Sequence, residues 1–222
     1  MKKSPSITVI ILNYNAGKIL LDCVSSVLKS DYDNFEVLVV DNNSKDQSHK
    51  DCKKKFPQIR MIENNENFGY CEGNNIGIRN TDSEFVVILN PDTLVETTWL
   101  KGFIDSYKQF GEGLYQPKFL SIDNKKILGS TGNKIQLFGF GYARGLYVPD
   151  EGQYNKPEEI NYASGTCLFT SNKIMQKLGM FDSFIFAYHD DLDLGWRASQ
   201  IGIKSWYNPK SIVYHHLEGY SF

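Results

Sequence analysis

Apolar and polar positions alternate along the first half of the chain as strands and helices alternate in an α/β protein. Four short apolar runs rich in β-branched residues predict strands, and the stretches between them carry apolar residues at helical spacing. The predicted strands cover residues 7–12, 35–40, 59–62 and 85–89, and the predicted helices cover 19–29, 44–55, 73–79 and 97–110. This order favours a mostly parallel sheet covered by helices, with the uniformly apolar fourth strand at its centre.

The second half is less periodic and richer in glycine and aromatic residues. Repeated glycines over residues 138–145 predict a mobile loop, because each glycine adds to the entropy lost on ordering. Regular structure resumes over 166–170, with helices predicted at 172–178 and 191–200 and a last strand near 212–214.

Composition and charge narrow the class of protein. The 222 residues are 41% hydrophobic and carry a net charge of -2, which suits a well-buried α/β core and gives no general electrostatic reason to bind nucleic acid. The four cysteines lack the spacing of a zinc site or a disulfide framework. No apolar run approaches the roughly 20 residues of a membrane span, so we expect a soluble cytoplasmic protein.

Two carboxylates follow predicted strands, at the edge of an open α/β sheet where ligands bind. Asp41 ends the second strand, where it either begins a turn beside a capping Ser44 or accepts hydrogen bonds from a nucleobase or ribose. Asp92 follows the fourth strand on a Pro91 turn. It is either a turn residue or a ligand of Mg²⁺ or Mn²⁺, which need only one or two carboxylates when a diphosphate fills the other positions.

A run of amides and glycines over residues 64–77 leads into a predicted helix. It suits either a polar turn with a helix cap or contacts to a ribose or pyrophosphate near a helix N-terminus. The residues alone favour neither interpretation.

The acidic cluster over residues 189–193 opens a predicted helix with three carboxylates. Asp190 is predicted to cap the helix and Asp193 to pair with Arg197, four residues on. Asp191 has no such structural duty and is the candidate general base, because a carboxylate at a helix N-terminus stays ionised. Beyond the last strand, His215 and His216 are adjacent and so point to opposite faces, which lets at most one of them line a site.

Together these motifs resemble the family 2 inverting glycosyltransferases of the GT-A fold, and the rhamnosyltransferase-like branch in particular. The likeness covers nearly the whole chain and depends on the order and spacing of several weak motifs. They lie at residues 9–15, 39–44, 67–70, 73–77, 89–93, 164–166, 179–182 and in the acidic cluster with Arg197 and Gly202.

The resemblance implies an α/β GT-A fold. Its single Rossmann-like, mostly parallel central sheet would carry helices on both faces and a small antiparallel portion on the acceptor side. We expect one catalytic domain over residues 1–222, with a nucleotide-binding half over 1–110 and an acceptor-side half over 111–222. Relatives usually continue past this motif, so we also expect a chain truncated at its C-terminus.

The resemblance also implies the roles of individual residues. Asp191 is the base, next to Asp190, and Asp92 binds a divalent Mn²⁺ or Mg²⁺. The metal-binding histidine falls on His215 when counted from Pro209 and on His216 when counted back from Ser221. The first acid of the family's metal motif is replaced here by Asn90. The residues implied to bind the nucleotide-sugar are Asn13, Tyr14, Asn15, Asp41, Asn43, Asn67, Gly69, Asn75 and Asn90.

The implied activity is transfer of a sugar from a UDP- or dTDP-linked donor to a glycan or lipid-linked acceptor, with inversion, in cell-surface polysaccharide synthesis. The implied location is the cytoplasm, at the inner membrane face if a missing C-terminal part associates with the membrane. Two other functions stay open. A nucleotidyltransferase would carry a Gly-rich, basic phosphate loop after the first strand, of which residues 13–18 are a poor version. A catalytically inactive nucleotide-sugar- or glycan-binding module would tolerate Asn90 and the short C-terminus.

Overall fold

The computed structural model describes residues 4–217, which contain twelve strands and six helices. The strands are β1 Ile7–Asn13, β2 Phe35–Asp41, β3 Arg60–Glu63, β4 Phe85–Leu89, β5 Thr93–Val95, β6 Gly113–Ser121, β7 Leu128–Ser130, β8 Asn133–Ile135, β9 Gly141–Ala143, β10 Glu158–Ile160, β11 Cys167–Ser171 and β12 Lys204–His215. The helices are α1 Gly17–Val27, α2 Ser48–Lys55, α3 Gly69–Arg79, α4 Trp99–Phe110, α5 Asn172–Leu178 and α6 Asp190–Gln200.

Ten of the strands form one sheet, in the order β10-β12-β6-β11-β4-β1-β2-β3, with β5 beside β12 and β7 beside β6. Strands β3, β2, β1 and β4 are parallel neighbours. Strand β11 runs antiparallel between β4 and β6, while β6 and β12 are parallel to each other. The mostly parallel α/β sheet predicted from the sequence is therefore confirmed, with its antiparallel part in the second half of the chain.

The sheet is buried on both faces, as predicted. Side chains of α1, α2 and α4 pack on one face, and those of α3, α5 and α6 pack on the other. Phe169 of β11 stacks on Phe85 and Phe103 with ring centroids 5.0 and 4.9 Å apart, which joins the second half of the chain to the first core. Gly77 lets α3 approach the sheet closely, since a Cβ there would lie 2.5 Å from Ile10 Cγ2.

The helices are too short to span a bilayer. Among residues 4–217 none combines the length and apolar character that a crossing requires. The longest described helix, α4, has 12 residues.

Several element boundaries differ from the sequence prediction. Helix α2 begins at Ser48 instead of residue 44, because residues 42–47 fold into a polar turn. Helix α3 begins at Gly69, four residues before its predicted start. The last strand covers 12 residues where three were predicted. Buried polar residues such as Asn208 and Ser211 lie within it, so its sequence shows no continuous apolar run.

The predicted mobile loop over 138–145 contains strand β9, which pairs with β8 in a small two-stranded sheet. Arg144 anchors this hairpin: its guanidinium pairs with Glu158 and donates to the Thr131 carbonyl and hydroxyl. It also lies over the Tyr154 ring, 5.0 Å from the centroid. Arg144 is thus held by the protein body, which explains why the segment is ordered despite its glycines.

Candidate active site

The ends of β1, β2 and β4 and the start of α3 enclose a pocket of about 220 Å³. It lies where the parallel strands end, the expected position of a ligand site in an open α/β sheet. The lining includes five residues predicted from the sequence, namely Tyr14, Asn67, Gly69, Asn90 and Asp92.

A buried hydrogen-bond network holds the end of β2 beneath this pocket. Asp41 is 1% exposed, and its Oδ1 accepts from Asn13 Nδ2 at 2.6 Å while its Oδ2 accepts from the Ser44 N–H at 2.9 Å. Asn13 Nδ2 also lies 3.0 Å from Ser44 Oγ and 2.9 Å from Ser48 Oγ. Neither Asn13 nor Asp41 contributes to the pocket lining. The structure therefore gives both side chains a role in shaping the wall of the site.

Asn15 and Asn43 lie in the turns beside this network. Asn15 Oδ1 accepts from the Lys45 N–H at 2.7 Å, and Asn43 Nδ2 donates to the Asn65 carbonyl at 2.9 Å. Both residues have left-handed backbone conformations, with φ of 52° and 63°. These contacts tie the two loops together outside the pocket lining, so neither side chain faces the pocket.

The predicted ribose segment begins α3, and a second loop closes over it. The Tyr70 N–H donates to the Phe186 carbonyl at 2.6 Å, and a Cβ on Gly69 would lie 2.5 Å from that oxygen. Gly69 is required here by this close approach as well as by its φ of +77°. Asn67 caps the turn, with its Oδ1 accepting from the Gly69 N–H at 2.9 Å.

Asn75 faces away from the pocket. Its Nδ2 donates to the Phe181 carbonyl at 2.8 Å and its Oδ1 accepts from the Phe181 N–H at 3.0 Å. Because both amide groups are used in holding the α5–α6 connection, the geometry leaves Asn75 without a free group for a ribose. Of the predicted donor residues, Asn75 is the one that the structure assigns most clearly to the fold.

Asp92 differs from Asp41 in having an unused oxygen. Its Oδ1 is buried without a hydrogen-bond partner among the described residues, and its Oδ2 lies 3.3 Å from His215 Nε2. Register places His215 there, because β12 pairs with β5 so that His215 lies opposite Thr93. His216 faces Asp123 instead, with Nδ1 3.7 Å from Oδ2. Of the two histidines, His215 has its Nε2 within this distance of Asp92, while His216 lines a cavity of about 150 Å³ together with Asp92. Ser221, from which the count to His216 is made, lies outside the described residues.

Asp92 and His215 fit a divalent cation that shares its coordination with a substrate. A buried carboxylate oxygen without a partner is costly and gains from an added cation. Among residues 4–217, no group of three or more His, Cys, Asp and Glu side chains is arranged to hold a metal ion. The two side chains therefore suit an open site completed by ligand oxygens better than a closed structural site.

The acidic cluster begins α6, although its cap is not the one predicted. His189 is the N-cap, in a left-handed conformation with φ of 62°, and Asp190 is the first helical residue. The predicted pair of Asp193 and Arg197 is confirmed at 2.7 Å. Burial, with a contribution from the Asp191 charge, raises the pKa of Asp190 to about 7.

Asp191 is held from two sides at the start of the helix. Its Oδ2 accepts from the Gly165 N–H at 3.1 Å and its Oδ1 from the Leu192 N–H at 2.8 Å. Burial raises the pKa of Asp191, and these two hydrogen bonds oppose the rise. The result is an oriented carboxylate that gains a proton more readily than an exposed one.

Gly165 connects Asp191 to two cavities. Its carbonyl accepts from the Tyr70 hydroxyl at 2.6 Å, and Tyr70 lines the pocket that contains Asp92. Its neighbours Ser164 and Thr166 line a second cavity of about 300 Å³, together with His215. Asp191 thus lies one hydrogen bond from a segment that lines the second cavity and that contacts Tyr70 of the first pocket.

Two residues of this arrangement were not predicted as functional. Burial raises the pKa of Tyr70, so its hydroxyl remains a neutral donor to Gly165, and the Phe186 ring and carbonyl cover Gly69. Tyr70 belongs to a motif already noted at 67–70, but its partner lies 95 residues away. The sequence marks Phe186 only by the aromatic residues that alternate before the acidic cluster.

Comparison with known proteins identifies relatives over most of the chain. Residues 8–179 match the family model described as Glycosyl transferase family 2. The low-salt glycan biosynthesis hexosyltransferase Agl10 of Haloferax volcanii is 23% identical over 201 residues, covering 89% of this chain and 62% of that protein. The N-acetylglucosaminyl-diphospho-decaprenol L-rhamnosyltransferase of Mycobacterium tuberculosis is 24% identical over 234 residues, covering 94% of this chain and 75% of that protein. This chain therefore spans less than two thirds of the length of the Haloferax protein.

A solved structure shares the fold at low sequence identity. The crystal structure of GalNAc-T7 with UDP, GalNAc and Mn²⁺ superposes with a TM-score of 0.81 at 17% identity, covering 100% of this chain and 46% of that one. The fold is therefore the GT-A fold of glycosyltransferases. Because the family model matches well over half of the sequence, the chain belongs to glycosyltransferase family 2.

Proposed function

We propose that this chain transfers a sugar from a nucleoside-diphosphate sugar to a hydroxyl of a glycan or lipid-linked glycan, with inversion, in cell-surface polysaccharide synthesis. UDP- and dTDP-sugars are the proposed donors. The observation that carries the proposal is the hydrogen bond of Asp191 to Gly165, which also accepts from Tyr70 of the Asp92 pocket and whose neighbours line the second cavity.

The relatives support this assignment by what their names state. One is a hexosyltransferase of glycan biosynthesis, another is a rhamnosyltransferase acting on a diphospho-decaprenol lipid, and the solved neighbour contains UDP and Mn²⁺. We assign the first pocket to the donor, since it collects Tyr14, Asn67 and Asp92 at the strand ends. The second cavity then takes the acceptor.

In the proposed reaction, Asp191 accepts the proton of the acceptor hydroxyl as the hydroxyl oxygen attacks the anomeric carbon. The bond from that carbon to the diphosphate oxygen breaks on the opposite face, so the configuration inverts. The Gly165 and Leu192 N–H groups hold the carboxylate in place for this transfer. A divalent metal bound by Asp92 and His215 would supply positive charge to the diphosphate leaving group.

The substitution Asp191→Asn tests the assignment directly. It keeps the shape of the side chain and one of its two accepted hydrogen bonds but removes the basic oxygen, so we expect turnover to fall by about 10²- to 10⁴-fold with little change in donor affinity. Turnover would be measured as donor consumption with Mn²⁺, and again after addition of EDTA. A variant that retained full transfer activity would show that Asp191 is not the base.

Asp193→Asn is the matched control, because Asp193 lies two residues further along the same helix and pairs with Arg197. We expect it to lower stability slightly and to leave turnover within about twofold. A thermal-shift screen against UDP-, dTDP- and GDP-sugars then identifies the donor, since a ligand at 100 times its Kd adds about 2.7 kcal/mol to stability. Donor binding without turnover in the unmodified chain would instead indicate a binding module.

A further inference from the structure

A two-stranded arm leaves the protein body beside the proposed acceptor cavity. We define the arm as residues 126–150. Its outer part is the β8–β9 hairpin, and its inner part continues through the Leu128 N–H bond to the Val148 carbonyl at 2.8 Å. Gly141 and Tyr142 of the arm line the second cavity. The position of the arm therefore bears on how an acceptor reaches Asp191.

The tip of the arm, residues 137–140, exposes three large apolar side chains. Leu137, Phe138 and Phe140 are 95%, 82% and 67% exposed. The turn is nevertheless ordered, with the Gln136 N–H donating to the Phe140 carbonyl at 3.0 Å and Gly139 at a φ of +86°. A formed turn that displays three large apolar side chains forgoes their burial, which normally stabilises a protein by more than 1 kcal/mol for each side chain.

Residue types change along the arm in the order found across a membrane interface. Beyond the Leu and Phe side chains of the tip come the exposed Tyr142 and then Tyr147, and Lys126 lies at the root with Lys125 next to it. In bilayers, aliphatic and Phe side chains enter the hydrocarbon edge, Tyr rings lie at headgroup level, and Lys reaches the phosphates.

The charge of the arm favours an anionic surface. The arm, residues 126–150, contains three basic residues and one acid, Asp150, and Lys125 precedes it, although the whole chain has a net charge of -2. Lys134 and Arg144 pair with Glu158 in the body, while Lys125 and Lys126 are exposed at the root. The nearest carboxylates in sequence are Asp123 and Asp150, and Asp150 is bound by Lys118 at 2.8 Å.

We propose that the arm docks on an anionic lipid bilayer by inserting its tip. The apolar residues lie on a convex turn, which enters a soft lipid surface readily, whereas a second protein chain would need a matching cavity. This inference rests on the proposed function in one respect: a docked arm holds the acceptor cavity at the membrane, where a lipid-linked acceptor resides. Membrane docking itself can be measured without any donor or acceptor.

Flotation with lipid vesicles tests the docking. The purified chain is mixed with vesicles of phosphatidylglycerol and phosphatidylcholine in equal parts, and the bound fraction is measured at increasing lipid concentration. We expect the triple variant Leu137→Ser, Phe138→Ser, Phe140→Ser to bind about tenfold more weakly or worse. Because these side chains are exposed, its thermal unfolding should match that of the unmodified chain.

Phe184→Ser is the matched control, since Phe184 is 96% exposed but lies outside the arm. It should bind vesicles as the unmodified chain does. Replacing Lys125 and Lys126 with Gln should weaken binding about fivefold for each lysine on anionic vesicles and hardly at all on pure phosphatidylcholine.

Three outcomes would overturn the proposal: no vesicle binding by the unmodified chain, equal binding by the tip variant, or a concentration-dependent dimer that the tip variant abolishes. The dimer would identify a second copy as the occupant. Consumption of a water-soluble donor is measured in parallel. A chain that docks without consuming donor contradicts the proposed function alone, and a chain that consumes donor without docking contradicts this inference alone.

Discussion

Asp41 and Asp92 end two strands that flank β1, yet the protein surrounds them differently. Asp41 is enclosed, and each of its oxygens accepts a hydrogen bond from the protein. Asp92 is also partly buried, but its Oδ1 has no partner among the described residues. Both oxygens of the Asp41 carboxylate therefore have hydrogen-bond partners in the protein, whereas one oxygen of Asp92 has none among the described residues. The comparison teaches that position at a strand end does not by itself distinguish a carboxylate that holds the fold from one that keeps a free oxygen at a cavity.

The two arrangements have opposite effects on the stability of the folded protein. A buried oxygen without a partner costs about 1–3 kcal/mol, more when it is charged, so Asp92 lowers the stability of the protein in the absence of a ligand. Asp41 stabilises the turn that leads to α2 and so holds the wall of the pocket. Substitutions at the two positions should therefore affect different measurements.

Of the two aspartates, Asp92 is expected to have the larger effect on activity. Asp92→Ala removes the carboxylate that faces the donor pocket, and we expect turnover to fall by about 10²- to 10³-fold because several kcal/mol of charge stabilisation are lost. Initial rates at increasing Mn²⁺ would measure it. The unfolding free energy of the variant should be unchanged or higher, and a large loss of stability would contradict the difference drawn between the two aspartates.

The largest effect on stability is expected at Asp41. Asp41→Asn places an amide N–H against either Asn13 Nδ2 or the Ser44 N–H, so we expect a loss of about 2–4 kcal/mol in the free energy of unfolding. Urea unfolding would measure it, with Asp92→Asn as the control. Equal stability of the two variants would mean that the Asn13 network does not hold the wall of the pocket.

Substitutions of the two adjacent histidines should lower the affinity for metal to different extents. His215→Asn removes the imidazole beside Asp92, and we expect the apparent affinity for Mn²⁺ to fall by about 10- to 100-fold. His216→Asn should lower it less, because His215 Nε2 lies 3.3 Å from Asp92 Oδ2 whereas His216 Nδ1 lies 3.7 Å from Asp123 Oδ2. Isothermal titration with Mn²⁺ and a nucleoside diphosphate compares them, and the reverse result would assign the metal to His216.

The smallest effect concerns the pH dependence of stability. Because burial raises the pKa of Asp190 to about 7, the folded protein binds more protons than the unfolded chain between about pH 4 and pH 7. Stability should therefore fall as the pH rises through this window and level off above it. Urea unfolding of the unmodified chain and of Asp190→Asn would show a shallower fall in the variant. Parallel curves would mean that Asp190 is ionised throughout.

The parallel half of the fold could be predicted from its sequence because each element has its own pattern. Strands β1, β2 and β4 are apolar runs of neighbouring residues, and their ends locate Asp41 and Asp92. Strand β6 is different: all nine of its residues are buried, including Gln116 and Lys118. Lys118 depends on Asp150, 32 residues away. No local pattern indicates such a strand, so the second half of the sheet could not be predicted in detail.

The same limit applies to the site. The position of Asp191 at the start of a helix could be predicted, because a helix start and a carboxylate without a structural partner can both be recognised from neighbouring residues. Tyr70 contacts Gly165 and Asn75 contacts Phe181, pairs that are 95 and 106 residues apart. The roles of these side chains follow from packing between distant segments. The sequence located the acids at element ends, and their chemical roles stay predictions. Only the structure distinguishes the amides that line the pocket from those that hold the loops.

The register of β12 determines which of the two adjacent histidines, His215 or His216, lies opposite Thr93. The pairing of β12 with β6 shifts between Asn208 and Ile212, so β12 contains an irregularity just before its last four residues. A slip of one residue in the pairing with β5 would place His216 opposite Thr93 and would turn the buried side chain of Val213 to the other face of the sheet. The register of β12 against β5 therefore sets both which histidine lies opposite Thr93 and which apolar side chains, such as Val213, enter the core.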